Sequence, residues 1–332
     1  MLIISLGTSA FAQRSPFNNL EVLPADSTGH YRILIGGHFH GESTNRSGYP
    51  AATLLANLDT INRLGANLFL STGDLFMDAE KDRPRYERAL FGKLNVPLFN
   101  APGNHDMDRG LNATLRVGSF KMSSRDRVVL FDSEAADGSL SEDDLGILRF
   151  VQEEGASVEH VFIISHRPIW SEDDPQYTDL FKDNTRSVTG TNFEKDVYPI
   201  LLKIAEHAHV YWISGSLGGE APSSIFFQNH AKNITYIQCA IRDELRDALL
   251  IADVYPDTVK WSALSLTGQK LLAPEAYDAA WWRGHIGQQE GFNWRLLPYL
   301  IKTTVLRAEF WWGALVALML AWLVRRLVRR GL

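Results

Sequence analysis

Two hydrophobic rhythms alternate along the first two-thirds of the chain. Short apolar runs such as Ile33-Leu34-Ile35, Leu68-Phe69-Leu70 and Val128 to Phe131 stop abruptly at polar or turn residues and predict buried strands. Between them the spacing changes to a helical one. Pro50 opens a stretch in which Leu54, Leu55, Leu58, Ile61 and Leu64 share one face, and Gly65 ends it. A charged segment from Pro84 to Leu94 predicts a second helix. Ser141 with Asp144 makes a capping box ahead of Leu145, Leu148 and Val151, and Gly155 closes that helix. Further strands are expected at Val161 to Ile164, Val210 to Ile213, Ile234 to Ala240, Ala248 to Val254 and Thr258 to Ala263, with a helix near Glu194 to His207. Strand and helix alternating in this way predict an α/β fold with functional loops at the strand carboxyl ends.

The flanks have different patterns. Residues 13–30 are polar, carry Pro, Asn, Ser and Gly, and predict a linker, which leaves 31–272 as the folded domain. Within it the irregular acidic stretch from Trp170 to Thr191 predicts a lid or binding loop. Trp281, Trp282, Trp294 and Tyr299 crowd residues 273–307 in the manner of a juxtamembrane aromatic segment. Phe310 to Val324 then carries no charge; at 1.5 Å per residue it reaches about 22 Å, and counting Leu327 and Val328 gives a workable membrane span over 308–328. Arg329 and Arg330 lie in a basic tail, 329–332, whose expected place is the cytoplasm. Residues 1–12 are apolar and end in Ala10-Phe11-Ala12, the small-x-small pattern of a signal-peptidase site, without a basic start; they predict a truncated signal peptide. The expected localisation is a single-pass membrane protein whose domain faces the periplasm or cell exterior.

Composition narrows the chemistry. Cys239 is the one cysteine, so an internal disulfide and a cysteine-rich metal site are both excluded, and any metal must be held by His, Asp, Asn or water. Four arginines in the last eight residues leave the rest of the chain more acidic than the overall charge of −6. An acidic body excludes nucleic-acid binding through a basic surface.

The strand ends carry the candidate chemistry. The first runs into Gly36-Gly37-His38-Phe39-His40-Gly41, the second into Gly73-Asp74, the third into Gly103-Asn104-His105-Asp106, and a later one into Ser165-His166. In order and spacing these motifs resemble those of the calcineurin-like metallophosphoesterase family, over about residues 31 to 265. The resemblance implies a four-layer αββα sandwich of two mixed sheets. It also implies one or two divalent transition metals (manganese, iron or zinc) held by His38, His40, Asp74, Asn104 and His166, with Asp74 as the bridge. By the same resemblance His105, oriented by Asp106, assists the leaving oxygen of a phosphomonoester or phosphodiester.

Two positions depart from the family pattern. His38 stands where an aspartate is usual, which exchanges an anionic ligand for a neutral one. Where Gly-His-x-His is usual the chain has Gly215-Ser216-Leu217-Gly218. His207 and His209 precede a strand that would hold them about 15 Å away, at about 3.3 Å per residue, and so cannot replace the lost pair. Glu220 is the nearest acidic replacement. The expectation is therefore a membrane-anchored extracytoplasmic phosphoesterase acting on a phosphoester, with a lipid or envelope-glycan phosphoester as its suggested partner. The alternative is a pseudoenzyme that keeps the fold as a binding module.

Overall fold

In a computed structural model of the chain the described residues are 13–42, 45, 47–106, 118–135, 137–172, 174–181, 190–287, 294–306 and 308–329. The strands are β1 (Tyr31–Gly36), β2 (Leu68–Ser71), β3 (Leu98–Asn100), β4 (Ser119–Lys121), β5 (Asp126–Leu130), β6 (His160–Ile164), β7 (His209–Ser214), β8 (Ile225–Ala231), β9 (Ile234–Cys239), β10 (Ala248–Tyr255) and β11 (Thr258–Ser265). They form two sheets, ordered β11-β10-β1-β2-β3 and β4-β5-β6-β7-β9-β8. Neighbours β1, β2 and β3 are parallel, as are β5, β6, β7 and β9, while the pairs β1–β10, β10–β11, β4–β5 and β8–β9 are antiparallel.

The period of two along each strand assigns its residues to layers. In β1, Ile33 and Ile35 join the core between the sheets, whereas Leu34 turns outward to Leu54, Leu58 and Ile61 of the covering helices. The same division separates Leu68 and Leu70 from Phe69, and Leu250 and Ala252 from Leu249 and Ile251. The second sheet is covered from outside by the helices Glu142–Glu154 and Tyr198–Ile204, whose Leu145, Leu148, Val151 and Leu201 are buried. This is the αββα sandwich expected from the motifs. Ser141 and Asp144 form the capping box expected of them.

Several local expectations change. The helix after Pro50 is split into Ala52–Ala56 and Leu58–Arg63, because the Asn57 side chain donates to the carbonyls of Thr53 (2.8 Å) and Leu266 (2.7 Å) at the break. The next helix runs over Ala79–Ala89 with Pro84 in its interior, since Asp78 caps it by accepting from the Lys81 N–H. The first part of the Trp170 to Thr191 stretch belongs to the core and not to a lid. Trp170 stacks on Tyr236 with centroids 4.6 Å apart, meets Tyr177 edge-on, and donates its indole N–H to Ser214 Oγ at 3.2 Å. Residues 182–189 of that stretch lie outside the described ones.

The packed unit also reaches past 31–272 at both ends. Ser15 Oγ and Asn18 Nδ2 donate to the carbonyls of Leu98 and Val96, so residues 13–30 run along β3 rather than forming a free linker. Trp282 is fully buried and donates its indole N–H to the Ile225 carbonyl at 3.0 Å, so the start of the aromatic segment covers β8. Two compact units divide the chain near residue 291. The second contains the helices Leu297–Val305 and Ala308–Arg329. Ala308–Arg329 is long and apolar enough to cross a membrane. The expected signal peptide, 1–12, lies outside the described residues.

At the amino ends of the parallel strands, Asp126 on β5 and His160 on β6 are buried side by side, with His160 Nδ1 2.9 Å from the carboxylate and Ser123 Oγ donating to it at 2.7 Å. Burial resists ionisation of Asp126, and the bonds from His160 and Ser123 outweigh it, so its carboxyl lies below the ordinary 3.8. A depressed folded value means the stabilisation is complete above the unfolded value and is lost as pH falls through the folded one. We expect Asp126→Asn to lower the urea unfolding free energy of the full chain in detergent by about 1–3 kcal/mol at neutral pH. The gap from wild type should close in denaturation curves taken at progressively more acid pH, below the ordinary 3.8.

Candidate metal centre

The carboxyl ends of the parallel strands of both sheets meet at one edge. His38 donates its backbone N–H to the Gly73 carbonyl (2.9 Å), and Gly215 and Ser216 donate theirs to the His166 carbonyl at 2.9 and 2.8 Å. Thr72 Oγ1 donates to the Cys239 carbonyl at 2.8 Å. These bonds bring the segments after β1, β2, β6, β7 and β9 together. The approach is close enough to require glycine. A Cβ on Gly103 would lie 2.2 Å from Asp74 Oδ1, and one on Gly73, whose φ is +96°, would lie 2.5 Å from His166 Nδ1. His38 and Asp74 themselves hold φ of +54° and +56°, a left-handed conformation that is uncommon outside glycine and is held here by the surrounding loops.

Asp74 is the centre of the arrangement. Its Oδ2 lies 3.4 Å from Nε2 of His38, 3.4 Å from Nε2 of His166 and 3.6 Å from Nε2 of His40. These separations are long for hydrogen bonds. They suit ligands of a shared ion, because two donors each about 2.0–2.1 Å from a tetrahedral zinc lie about 3.3 Å apart. Both ring nitrogens of His38 and of His40, and Nε2 of His166, are buried with no hydrogen-bond partner. A buried imidazole nitrogen left unpaired is costly in a folded protein, and a metal ion beside Asp74 would satisfy the Nε2 atoms that face it, one nitrogen per ring. The residues therefore fit a metal.

Two ligand groups share Asp74. One is His38, Asp74 and His166, and the other is His40, Asp74 and His105, with the ligand atoms of each group within 4.8 Å of one another. His166 Nδ1 donates to the Thr72 carbonyl at 2.9 Å and His105 Nδ1 to the Met77 carbonyl at 3.1 Å, because a carbonyl can only accept. Each ring then presents Nε2 with its lone pair. Burial pushes the His38 imidazole well below its ordinary value, against the pull of Asp74 and with the help of His40, His166 and Arg242, so it is neutral and competent as a ligand. Burial resists ionisation of Asp74 as well, but His166, His40 and His38 outweigh it and hold the carboxyl well below the usual range.

Two solved structures share this architecture. A dimetal phosphatase from zebrafish (Danio rerio) matches with a TM-score of 0.50 at 14% identity, covering 74% of this chain and 98% of that one. GAP50, the anchor in the inner membrane complex of Plasmodium, matches with a TM-score of 0.51 at 11% identity, covering 73% of this chain and 87% of that one. The chain shares its fold with these two proteins. The sequence matches no family model, and it matches no curated protein.

Within this shared fold the remaining candidate residues separate. Asn104 is half-buried in the turn before His105, whose backbone N–H donates to Asp74 Oδ1 at 3.0 Å. Asp106 does not orient the His105 ring. Its carboxylate instead accepts from the backbone N–H groups of Leu75 (2.8 Å), Phe76 (3.2 Å) and Gly103 (2.9 Å) and from Asn100 Nδ2 (3.0 Å), which ties the second and third motif loops together. Burial, then the charge of Asp74, raises the Asp106 carboxyl above its ordinary value. The Gly215-Ser216-Leu217-Gly218 loop lies against Thr72 and His166, yet Leu217 is buried in the core and supplies no ligand. Glu220 is exposed and belongs to neither ligand group. His209 begins β7, at the opposite end of the strand from Ser214. Sequence reasoning overlooked the end of β9, where Arg242 follows Ala240 and Ile241; the available signal was a hydrophobic strand stopping at a charged pair, Arg242-Asp243.

The two buried aspartates should therefore respond oppositely to substitution. Asp106→Ala leaves three backbone donors unpaired and should lower unfolding stability by about 2 kcal/mol or more, read from urea denaturation of the metal-free chain. Asp74→Ala should change that stability far less and abolish metal uptake measured by mass spectrometry.

Proposed function

We propose that the chain is a membrane-anchored, metal-dependent phosphoesterase. The observation that carries this reading is the convergence of orphaned imidazole nitrogens from His38, His40 and His166 on one buried carboxylate, Asp74, inside a fold shared with a dimetal phosphatase. Those four residues, with Asn104 alongside, would hold one or two divalent ions of manganese, iron or zinc. A bound ion supplies Lewis acidity toward a phosphoryl oxygen. It also lets an acidic body accept an anionic substrate.

The chain's own groups do the rest. Asp74 provides the fixed negative charge against which the cationic centre is assembled, and the carbonyls of Thr72 and Met77 fix two imidazole orientations. His105 is half-buried while His38, His40 and His166 are buried, so it is the imidazole nearest to solvent; where its Nε2 is protonated rather than bound to a metal, it would donate that proton to the leaving oxygen of a phosphomonoester or phosphodiester. Asp106 supports it indirectly by holding the turn.

The arginines at 325, 326, 329 and 330 favour a cytoplasmic C-terminus after the Ala308–Arg329 span, with the catalytic unit on the periplasmic or extracellular side. That proximity favours a lipid or envelope-glycan phosphoester as substrate. The missing histidines at Ser216 and Gly218 favour a second reading, a pseudoenzyme that retains the fold as a binding module.

Metal analysis and turnover of an aryl phosphate by the full chain in detergent separate the two. The enzyme reading expects bound transition metal and hydrolysis that falls by about 100-fold or more in Asp74→Ala. A wild-type chain that stays metal-free after loading would establish the pseudoenzyme. For topology, Gly331→Cys should react with a membrane-impermeant thiol reagent only from the cytoplasmic side; the buried Cys239 gives no competing signal. Labelling from the outer face would reverse the orientation.

A further inference from the structure

Of the parallel strands that end at this edge, β9 contributes no metal ligand among the described residues. Its continuation is wedged between two motif loops: Thr72 Oγ1 donates to the Cys239 carbonyl, and the Ile241 N–H donates to the Gly37 carbonyl at 3.1 Å, one residue before His38. Arg242 is next. Its backbone N–H donates to Asp247 Oδ1 at 2.9 Å, and Asp243 beside it, with φ of +63°, accepts from the backbone N–H groups of Ala52 and Thr53 at 3.1 and 2.9 Å. The backbone that carries this guanidinium is therefore fixed on both sides.

The side chain reaches across to the loop that lacks its histidines. Arg242 Nη1 donates to the Leu217 carbonyl at 3.3 Å and Nε to Glu244 Oε1 at 3.2 Å, while Nη2 has no hydrogen-bond partner among the described residues. Nη2 lies 3.8 Å from the place a Cβ on Gly219 would occupy, and Gly219 is exposed, so this end of the guanidinium lies beside an exposed stretch of the loop. Its charge also reaches the His38 ring, where it is among the causes that keep that imidazole neutral.

Arg246 provides the contrast. It too braces this loop, but Nη2 donates to the Gly218 carbonyl at 2.9 Å, Nη1 to the carbonyls of Ala221 and Ser223, and Nε to Glu244 at 2.6 Å. All three of its nitrogens are engaged and its side chain is buried. It is a structural strut. Arg242 has donors left over.

We propose that Arg242 binds a nonbridging oxygen of the phosphoryl group, placing a fixed positive charge beside the loop where the family places metal-ligating histidines. This inference rests on the phosphoesterase reading of the same cleft. A planar guanidinium with uncommitted N–H donors matches a tetrahedral oxyanion, and a charge-assisted bond to it is among the stronger hydrogen bonds available. The site thus replaces part of its lost metal ligation with a permanent cation.

The test uses the full chain in detergent, with inorganic phosphate as the probe, titrated calorimetrically with and without manganese or zinc. Metal content and unfolding temperature are measured on the same samples. Arg242→Gln should weaken phosphate binding by about tenfold or more with metal content unchanged and unfolding temperature lowered less than by Arg246→Gln, and Arg242→Lys should recover part of the loss. Unchanged phosphate affinity in Arg242→Gln overturns the inference. So does a loss that appears only together with lost metal or lost fold and is equally severe in Arg242→Lys, since that is the behaviour of a strut like Arg246. A wild-type chain that takes up metal but no phosphate also overturns it while leaving the metal centre standing. Binding of phosphate through Arg242 in the absence of any metal would keep the inference and remove the metal-dependent reading.

Discussion

A carboxylate buried among imidazoles is the constraint on which the rest of this edge of the fold depends. Asp74 is 3% exposed, and an ionised carboxyl at such a depth survives only where positive or polarised groups converge on it. The chain supplies them from three strand ends: His38 and His40 after β1, the backbone N–H of His105 after β3, and His166 after β6. Since these strands belong to both sheets, the sandwich must bring the two sheets' carboxyl edges together for Asp74 to be tolerated. The glycines at 73 and 103 follow from the same requirement, as a Cβ at either would meet Asp74 or His166.

Two buried aspartates in adjacent loops do opposite work. Asp106 uses its hydrogen-bonding capacity on backbone donors and an asparagine, so it supports the loops and has nothing left for a ligand. Asp74 faces ring nitrogens too far away for hydrogen bonds and leaves the rings unsatisfied. That imbalance marks a place built to receive something, whereas the Asp106 cluster is complete as it stands. The separation of structural from ligand-type carboxylates is thus made by partners, not by residue type.

The loop after β7 holds its shape through its backbone, not through the side chains at 216 and 218. Gly215 and Ser216 still bond the His166 carbonyl, and the arginines at 242 and 246 hold the carbonyls of Leu217 and Gly218. The backbone position is kept by hydrogen bonds that do not depend on the side chains at 216 and 218.

Periodicity in the sequence was enough for the layers. Runs such as Ile33-Leu34-Ile35 and Val161 to Ile164, short and bounded by turn residues, pointed to strands, the capping box at Ser141 fixed a helix start, and the order of Gly73-Asp74, Gly103-Asn104-His105-Asp106 and His166 marked the candidate centre. These features are local, so neighbouring residues suffice to specify them. The break at Asn57, the burial of Trp170 and Trp282, the bond between Asp106 and the Leu75 N–H, and the place of Arg242 beside Leu217 each depend on residues tens to hundreds of positions away. Only tertiary structure decided those, because hydrogen-bond partners and burial are set by which strand ends the two sheets bring together, and no single segment carries that information.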